Sequence, residues 1–188
     1  MRVTPTELPD VKLIVPNKFE DERGFFVETY NQRVLAGHGI DIAFVQDNCS
    51  LSRPAGTVRG LHFQTGPFAQ HKLIRVTRGS IFDVAVDIRT GSPTFGRHVA
   101  LTLTAEDPTQ MLVPIGFAHG FCTLEPDTEV MYKVSAFYSR EHDMGISWND
   151  PALAIAWPVT AAQAVLSDKD TRNPVLAALP TVFRYAAR

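Results

Sequence analysis

Ser80–Arg89 reads SIFDVAVDIR. Phe82, Val84, Val86 and Ile88 fall on one side of an extended chain, and Asp83, Ala85 and Asp87 on the other. Successive Cβ atoms of a strand point to opposite faces, so this period of two marks a β-strand. Working outward, similar signals predict strands over Lys12–Val15, Gly24–Tyr30, Ala43–Gln46, Val58–Gln64, Lys72–Thr77, His98–Thr104, Gln110–Val113, Gly120–Leu124 and Thr128–Phe137. Turn formers separate them at Arg78-Gly79, Thr90–Pro93, Ala105–Pro108, Pro114–Gly116 and Glu125–Asp127. Many short strands at this spacing predict an all-β fold, an antiparallel sandwich or barrel. A short helix is expected from Asn31 to Gly37, with Asn31 as cap and Gly37 as stop. After Trp157-Pro158 the pattern turns helix-like and Ala-rich, and Thr171–Arg188 reads as irregular or weakly helical.

The chain has 188 residues, 45% hydrophobic and 20% charged. That suits one soluble domain, spanning 1–188, with enough chain for a sizeable core. A formal charge of −2 supplies no basic field for nucleic acid and no polybasic tract for a membrane. An anionic ligand must therefore be met by a local cluster. Cys49 and Cys122 are too few and too far apart for a disulfide framework, and both read as reduced apolar residues of a cytosolic protein. The start, MRVTPTELPDVKL, has no apolar signal core, and no run is of membrane length, which points to the cytoplasm.

The chemistry concentrates in Thr57–Val76, TVRGLHFQTGPFAQHKLIRV. Ionisable groups on inward-facing strands are costly unless paired or used. Alternation puts Gly60, His62 and Gln64 on one face, and Leu61 and Phe63 on the other. A lone strand histidine is ordinarily a core residue satisfied by one hydrogen bond. Here Gln64 shares its face and Arg59 and Lys72 are close in sequence, so a general base beside an anion site is the better reading. Metal is not expected. Small barrels that hold iron or manganese use an H-x-H pair with a following carboxylate. This chain has His62-Phe63-Gln64, with His71 beside a turn, His119 far downstream, and a lysine where a metal would add charge. His119 sits among Gly116, Ala118 and Gly120, which would let a ligand approach the backbone. Spacing supports a tight turn there equally well. Tyr132 and Tyr138 share a side if their strand stays regular; packing is the default for both, and an acid facing His62 is the functional alternative. Asp170 reads as a solvated cap, or as a carboxylate orienting His62 if the fold brings them together. Arg23 and Glu28, around Gly24-Phe25-Phe26, read as a surface pair.

Taken in order, DERGFFVETYN (from Asp21), FVQDNCS (from Phe44), VRGLHFQ (from Val58), HKLIRV (from His71), FDVAVDIRTGSPTFG (from Phe82), PIGFAHGF (from Pro114), Tyr132-Lys133, Phe137-Tyr138-Ser139, WNDP (from Trp148), Trp157-Pro158 and LSDKD (from Leu166) resemble the dTDP-4-dehydrorhamnose 3,5-epimerases. The likeness runs from about Pro9 to Asp170. It implies a jelly-roll cupin barrel with a few short peripheral helices, dimeric, with an N-terminal segment exchanged between subunits. It implies epimerisation at C3 and C5 of dTDP-4-dehydro-6-deoxy-D-glucose, without metal or cofactor, in dTDP-L-rhamnose synthesis. By resemblance His62 is the base, Asp170 its partner, Tyr132 the acid, and Tyr138 the ring that stacks on thymine. Lys72, Arg59, His119, Gln46, Asp47, Asn48 and Lys169 fall on nucleotide-sugar contacts, and Arg23 and Glu28 on contacts donated by the partner subunit. Asp143 stands where many members carry glutamate. Lys72 is also suited to the C4 oxygen, where an enolate charge would develop. A relative acting at C3 alone, or a ketoisomerase of the same sugar, shares the barrel; Tyr132 favours the full epimerase. Gln64 counts against a metal dioxygenase, and the set His62, Tyr132, Lys72 and Asp170 counts against a cupin that only binds.

Overall fold

The computed structural model describes residues 1–186. In chain order the elements are β1 (Arg2–Pro5), β2 (Lys12–Val15), β3 (Lys18–Asp21), β4 (Gly24–Val27), helix α1 (Gln32–Gly37), β5 (Gln46–Ser52), β6 (Val58–Gln64), β7 (Lys72–Arg78), β8 (Ser80–Asp87), β9 (Arg89–Thr90), β10 (His98–Thr104), β11 (Gln110–Val113), β12 (Phe117–Thr123), β13 (Thr128–Val134), β14 (Asp143–Gly145) and β15 (Phe183–Arg184). A six-stranded sheet in the order β1-β2-β11-β7-β13-β5 faces a five-stranded sheet in the order β10-β8-β12-β6-β14. Both are antiparallel throughout. This is the all-β jelly-roll architecture of the cupin type, as expected.

Three apolar layers hold it. Between the sheets, Ile74, Val76, Met111 and Val130 meet Ile81, Ala85, Phe117 and Phe121. On the outer face of the five-stranded sheet, Leu61, Phe63, Val84 and Val86 are covered by Leu153, Leu176 and Phe183 from the C-terminal part. Outside the six-stranded sheet, α1 lays Leu35 over Ile14, Leu73 and Leu112. The decisive strand β8 is therefore buried on both faces. Phe82, Val84 and Val86 meet the C-terminal cover, while Ile81, Asp83 and Ala85 belong to the barrel interior. A strand covered twice hides its carboxylates as well as its alkyl groups, and Asp83 and Asp87 are both fully buried.

Several boundaries differ from the expectations. The strand expected over Ala43–Gln46 begins at Gln46 and runs to Ser52. Its inward face is polar because it lines a cavity, so apolar alternation gave no signal. Phe44 packs instead beneath α1 and against Tyr30, with ring centroids 5.6 Å apart. Strand pairing stops at Val27 rather than Tyr30, and at Val134 rather than Phe137. β12 starts earlier than expected, at Phe117. Helix α1 is capped by Asn31, whose side chain accepts from Arg33 N and Val34 N. Gly37 lies inside it, and the C-cap is His38. The Ala-rich stretch after Trp157-Pro158 forms no α-helix. It packs Val159, Ala164 and Leu166 near Trp148 and Trp157, and Val165 bridges Thr57. Helix nucleation is costly in a short segment, so these tertiary contacts outweigh alanine propensity. Beyond it, Asp170–Arg172 and Leu176–Ala178 are single 3₁₀ turns. The last two residues of the stretch expected to be irregular, Ala187 and Arg188, lie outside the described residues. Among the described residues no helix is long and apolar enough to cross a membrane.

Candidate active site

One end of the barrel interior is polar. A cavity of about 720 Å³ opens there, lined from both sheets. On the five-stranded sheet, β6 and β12 approach closely at Gly60, where a Cβ would stand 2.5 Å from Gly120 Cα and 2.8 Å from His119 O. Only glycine fits that approach. The result is that His62 and His119 lie side by side in register on neighbouring strands.

Each of these histidines has its own carboxylate. His62 Nε2 lies 2.5 Å from Asp170 Oδ1, and Asp170 Oδ2 accepts from Ser167 Oγ at 2.8 Å. His119 Nε2 lies 2.7 Å from Asp83 Oδ1, deep in the barrel wall. Burial works against ionisation of Asp170. The hydrogen bonds from His62 and Ser167, with the nearby charges of His62 and Lys169, outweigh it and hold the carboxyl below its usual range. An Nε2 proton donated to that carboxylate leaves Nδ1 of His62 with the lone pair, ready to take a proton and to be stabilised as imidazolium.

The opposite sheet supplies the other groups. Tyr132 on β13 and Lys72 at the start of β7 both line the cavity. Burial raises the Tyr132 phenol, which Asp143 raises further and Arg59 opposes, so it stays protonated at neutral pH. Lys72 is half-buried and donates to His62 O at 3.2 Å. Burial lowers it to about 8; Asp143 and Asp83 hold it up and Lys169 pushes it down. It is thus a cation at neutral pH with a shallow hold on its proton.

The mouth carries a polar frame. Gln46 donates to Asn48 Oδ1 at 2.8 Å, and Arg59 reaches Ser52 Oγ at 3.1 Å and Leu51 O at 3.2 Å. Lys169 bonds Asp143 at 2.5 Å, and the Tyr138 hydroxyl donates to the same carboxylate oxygen at 3.2 Å. The shorter aspartate therefore reaches both neighbours. Tyr138 lies past the end of β13 yet still lines the cavity, and the residue is 59% exposed.

All four residues expected to be catalytic line this cavity, with Gln46, Asn48, Arg59, His119, Tyr138, Asp143 and Lys169. Asp47 does not. It points to the other face of β5, where Lys133 binds its carboxylate at 2.8 and 3.0 Å. The period of two that turns Gln46 and Asn48 inward necessarily turns Asp47 out. Arg23 and Glu28 are also absent from the cavity of this chain; Arg23 is paired with Asp21 on the β3–β4 hairpin. Two groups escaped notice in the sequence. Asp83 was legible as a carboxylate amid apolar strand residues, and Ser167 stands in the same short segment as Asp170. Among the described residues no three His, Cys, Asp or Glu side chains cluster as metal ligands. Gln64, where a metal cupin would carry its second histidine, spends its amide on three backbone groups.

Proton transfer to and from an anionic ligand, inside a jelly-roll barrel, is the class of chemistry for which this interior is equipped. The chain belongs to the dTDP-4-dehydrorhamnose 3,5-epimerase family, whose model matches residues 5–178. A dTDP-4-dehydrorhamnose 3,5-epimerase of Sinorhizobium fredii is 53% identical over 178 residues, 95% of this chain and 91% of that protein. The structure of a Bacillus anthracis dTDP-4-dehydrorhamnose 3,5-epimerase with TDP and PPi bound matches at a TM-score of 0.89, with 55% identity over 93% of this chain and 98% of that one. The structure of a Legionella pneumophila dTDP-6-deoxy-D-glucose-3,5-epimerase in complex with dTDP-4-keto-L-rhamnose matches at 0.94, with 41% identity over 99% of each chain.

Proposed function

We propose that this chain epimerises C3 and C5 of dTDP-4-dehydro-6-deoxy-D-glucose, giving dTDP-4-dehydro-L-rhamnose. The observation that carries the reading is the pairing of His62 with Asp170 on one sheet while Tyr132 lines the same cavity from the other. The C4 ketone acidifies the protons on both C3 and C5. His62 takes one of them; the electron pair moves to the C4 oxygen as an enolate, beside Lys72. A proton returned from the opposite face, by Tyr132, inverts the carbon and restores the ketone. No redox partner is consumed, and no metal or nicotinamide is required. Positioned acid or base groups contribute about 10²–10⁴-fold each. A donor at a developing oxyanion contributes about 3–4 kcal/mol.

The dTDP end would hold the sugar in place. Arg59, Lys169 and His119 supply positive or hydrogen-bonding groups for the diphosphate and sugar. Tyr138 offers its ring to thymine, with Gln46, Asn48 and Asp143 around it. The working unit in this reading is a homodimer of single-domain chains that exchange N-terminal segments. Phe19, Phe25 and Phe26 of the β3–β4 hairpin are 61%, 65% and 68% exposed, as an element made for a second copy would be. That hairpin would carry Arg23 and Glu28 into the partner's cavity. Two free cysteines suit a reducing cytoplasm.

The test is NMR of the products formed from the keto-sugar nucleotide in deuterated water. Wild-type protein, exhaustively chelated, is expected to incorporate deuterium at C3 and C5 and yield the L-sugar, and His62→Ala at neither carbon. Undiminished exchange by His62→Ala would remove it as the base. Loss on chelation, restored by one specific divalent ion, would revive a metal mechanism.

A further inference from the structure

Tyr138 is the least supported aromatic of the site. It follows β13 without a ladder of its own, the residue is mostly exposed, and its hydroxyl has one partner, Asp143. Its backbone, by contrast, is held at three consecutive residues by two glutamines. Gln64 Nε2 donates to Phe137 O at 3.1 Å, and Gln64 Oε1 accepts from Ser139 N at 2.7 Å. Between them Tyr138 N donates to Gln46 Oε1 at 3.1 Å, from the other sheet. Gln64 Nε2 also donates to Phe68 O at 2.7 Å, tying the turn after β6 to the same point. The orientation of the amide follows from its partners, since two carbonyls require the NH₂ and one N–H requires the oxygen. Gln64 is 4% exposed and pairs in register with Asp143, the acceptor of the Tyr138 hydroxyl. It stands on the strand that carries His62.

We propose that Gln64 is a positioning residue that fixes the Tyr138 ring relative to His62, and so sets where the nucleoside end of the substrate lies when the sugar meets the base. The proposal rests on the reading that Tyr138 stacks on thymine. Gln64 lines the cavity, but its amide bonds only Phe68 O, Phe137 O and Ser139 N and touches neither the acid nor the base, so its loss weakens nucleotide binding and spares proton transfer at saturation. No shorter residue spans the gap, and a carboxylate would oppose two carbonyl oxygens.

The experiment measures dTDP binding by calorimetry and steady-state kinetics with the keto-sugar nucleotide, for wild type, Gln64→Met, Tyr138→Ala and the double variant. Gln64→Met removes three part-buried hydrogen bonds that hold the Tyr138 segment, so Kd for dTDP and KM should rise about tenfold. Its kcat should stay within about threefold, and in the Tyr138→Ala background the same change should add less than about twofold, since coupled residues are not additive. An unchanged Kd, full additivity with Tyr138→Ala, or a fall in kcat at constant KM would each overturn the proposal. Failure of wild-type protein to bind dTDP would instead overturn the nucleotide reading beneath it. If Gln64→Met does not fold, Gln64→Asn, which keeps an uncharged amide but is too short to reach the loop, carries the same comparison.

Discussion

Replacing Lys72 by methionine should make the protein more stable and nearly inactive. Burial lowers this lysine from 10.5 to about 8. Each tenfold change in proton affinity is worth about 1.4 kcal/mol, so keeping the ammonium charged in the folded state costs at most about 3 kcal/mol at neutral pH. Methionine removes that cost at similar volume and sacrifices one hydrogen bond, to His62 O at 3.2 Å, worth about 1 kcal/mol. The net gain is about 2 kcal/mol, or roughly 4–8 °C in Tm for a chain of this size. Its pH dependence is the sharper test. Below about 8 the lysine is charged in folded and unfolded chains alike, and the folded protein bears the full cost. Between about 8 and 10.5 the unfolded chain holds one more proton, so wild-type stability rises with pH. The advantage of Lys72→Met should thus be greatest at pH 7 and close as pH approaches 10.5. Urea unfolding at several pH values measures it, while kcat for the keto-sugar nucleotide should fall about 10²–10³-fold through loss of the oxyanion donor. A variant no more stable than wild type, or an advantage that does not shrink with pH, would refute the account of Lys72 as a half-buried cation held for function.

Further outcomes are expected. Tyr132→Phe should still exchange deuterium but not complete inversion at C5, so NMR should show no L-sugar; normal L-sugar formation would exclude the phenol as acid. The alkaline limb of kcat/KM should fall near pH 8 as Lys72 loses its proton, and a flat profile to pH 9.5, about a unit and a half higher, would detach the lysine from catalysis. Replacing Phe25 and Phe26 with glutamate should yield a monomer by sedimentation, with activity reduced at least about tenfold if Arg23 and Glu28 act in the partner's cavity, given the usual weight of positioning groups. A dimer that survives the substitution would show that the hairpin is not the exchanged element.

Much of this was legible in one dimension. A period of two locates β8, β6, β7 and β10, because alternation between faces is local geometry and needs no partner. It also sorts His62 and Gln64 from Leu61 and Phe63, and the ordered motifs carry the family. β5 was misplaced because its inward side chains are polar, which is the property that lets it line a cavity. The alanine-rich segment after Pro158 misled for the opposite reason: its local preference is real, but contacts with Trp148 and Trp157 overrule it.

What only three dimensions decided is who meets whom. Asp170 reaches His62 across 108 residues of chain, and Asp83 reaches His119 through a strand pairing invisible in either segment. The same register sends Asp47 outward although its two neighbours point in. The proton affinity of Lys72 depends on how much water the fold leaves beside it, which no residue carries in its own name. Side-chain type and facing are properties of a short stretch, whereas pairing, burial and field are sums over everything the closed barrel brings near.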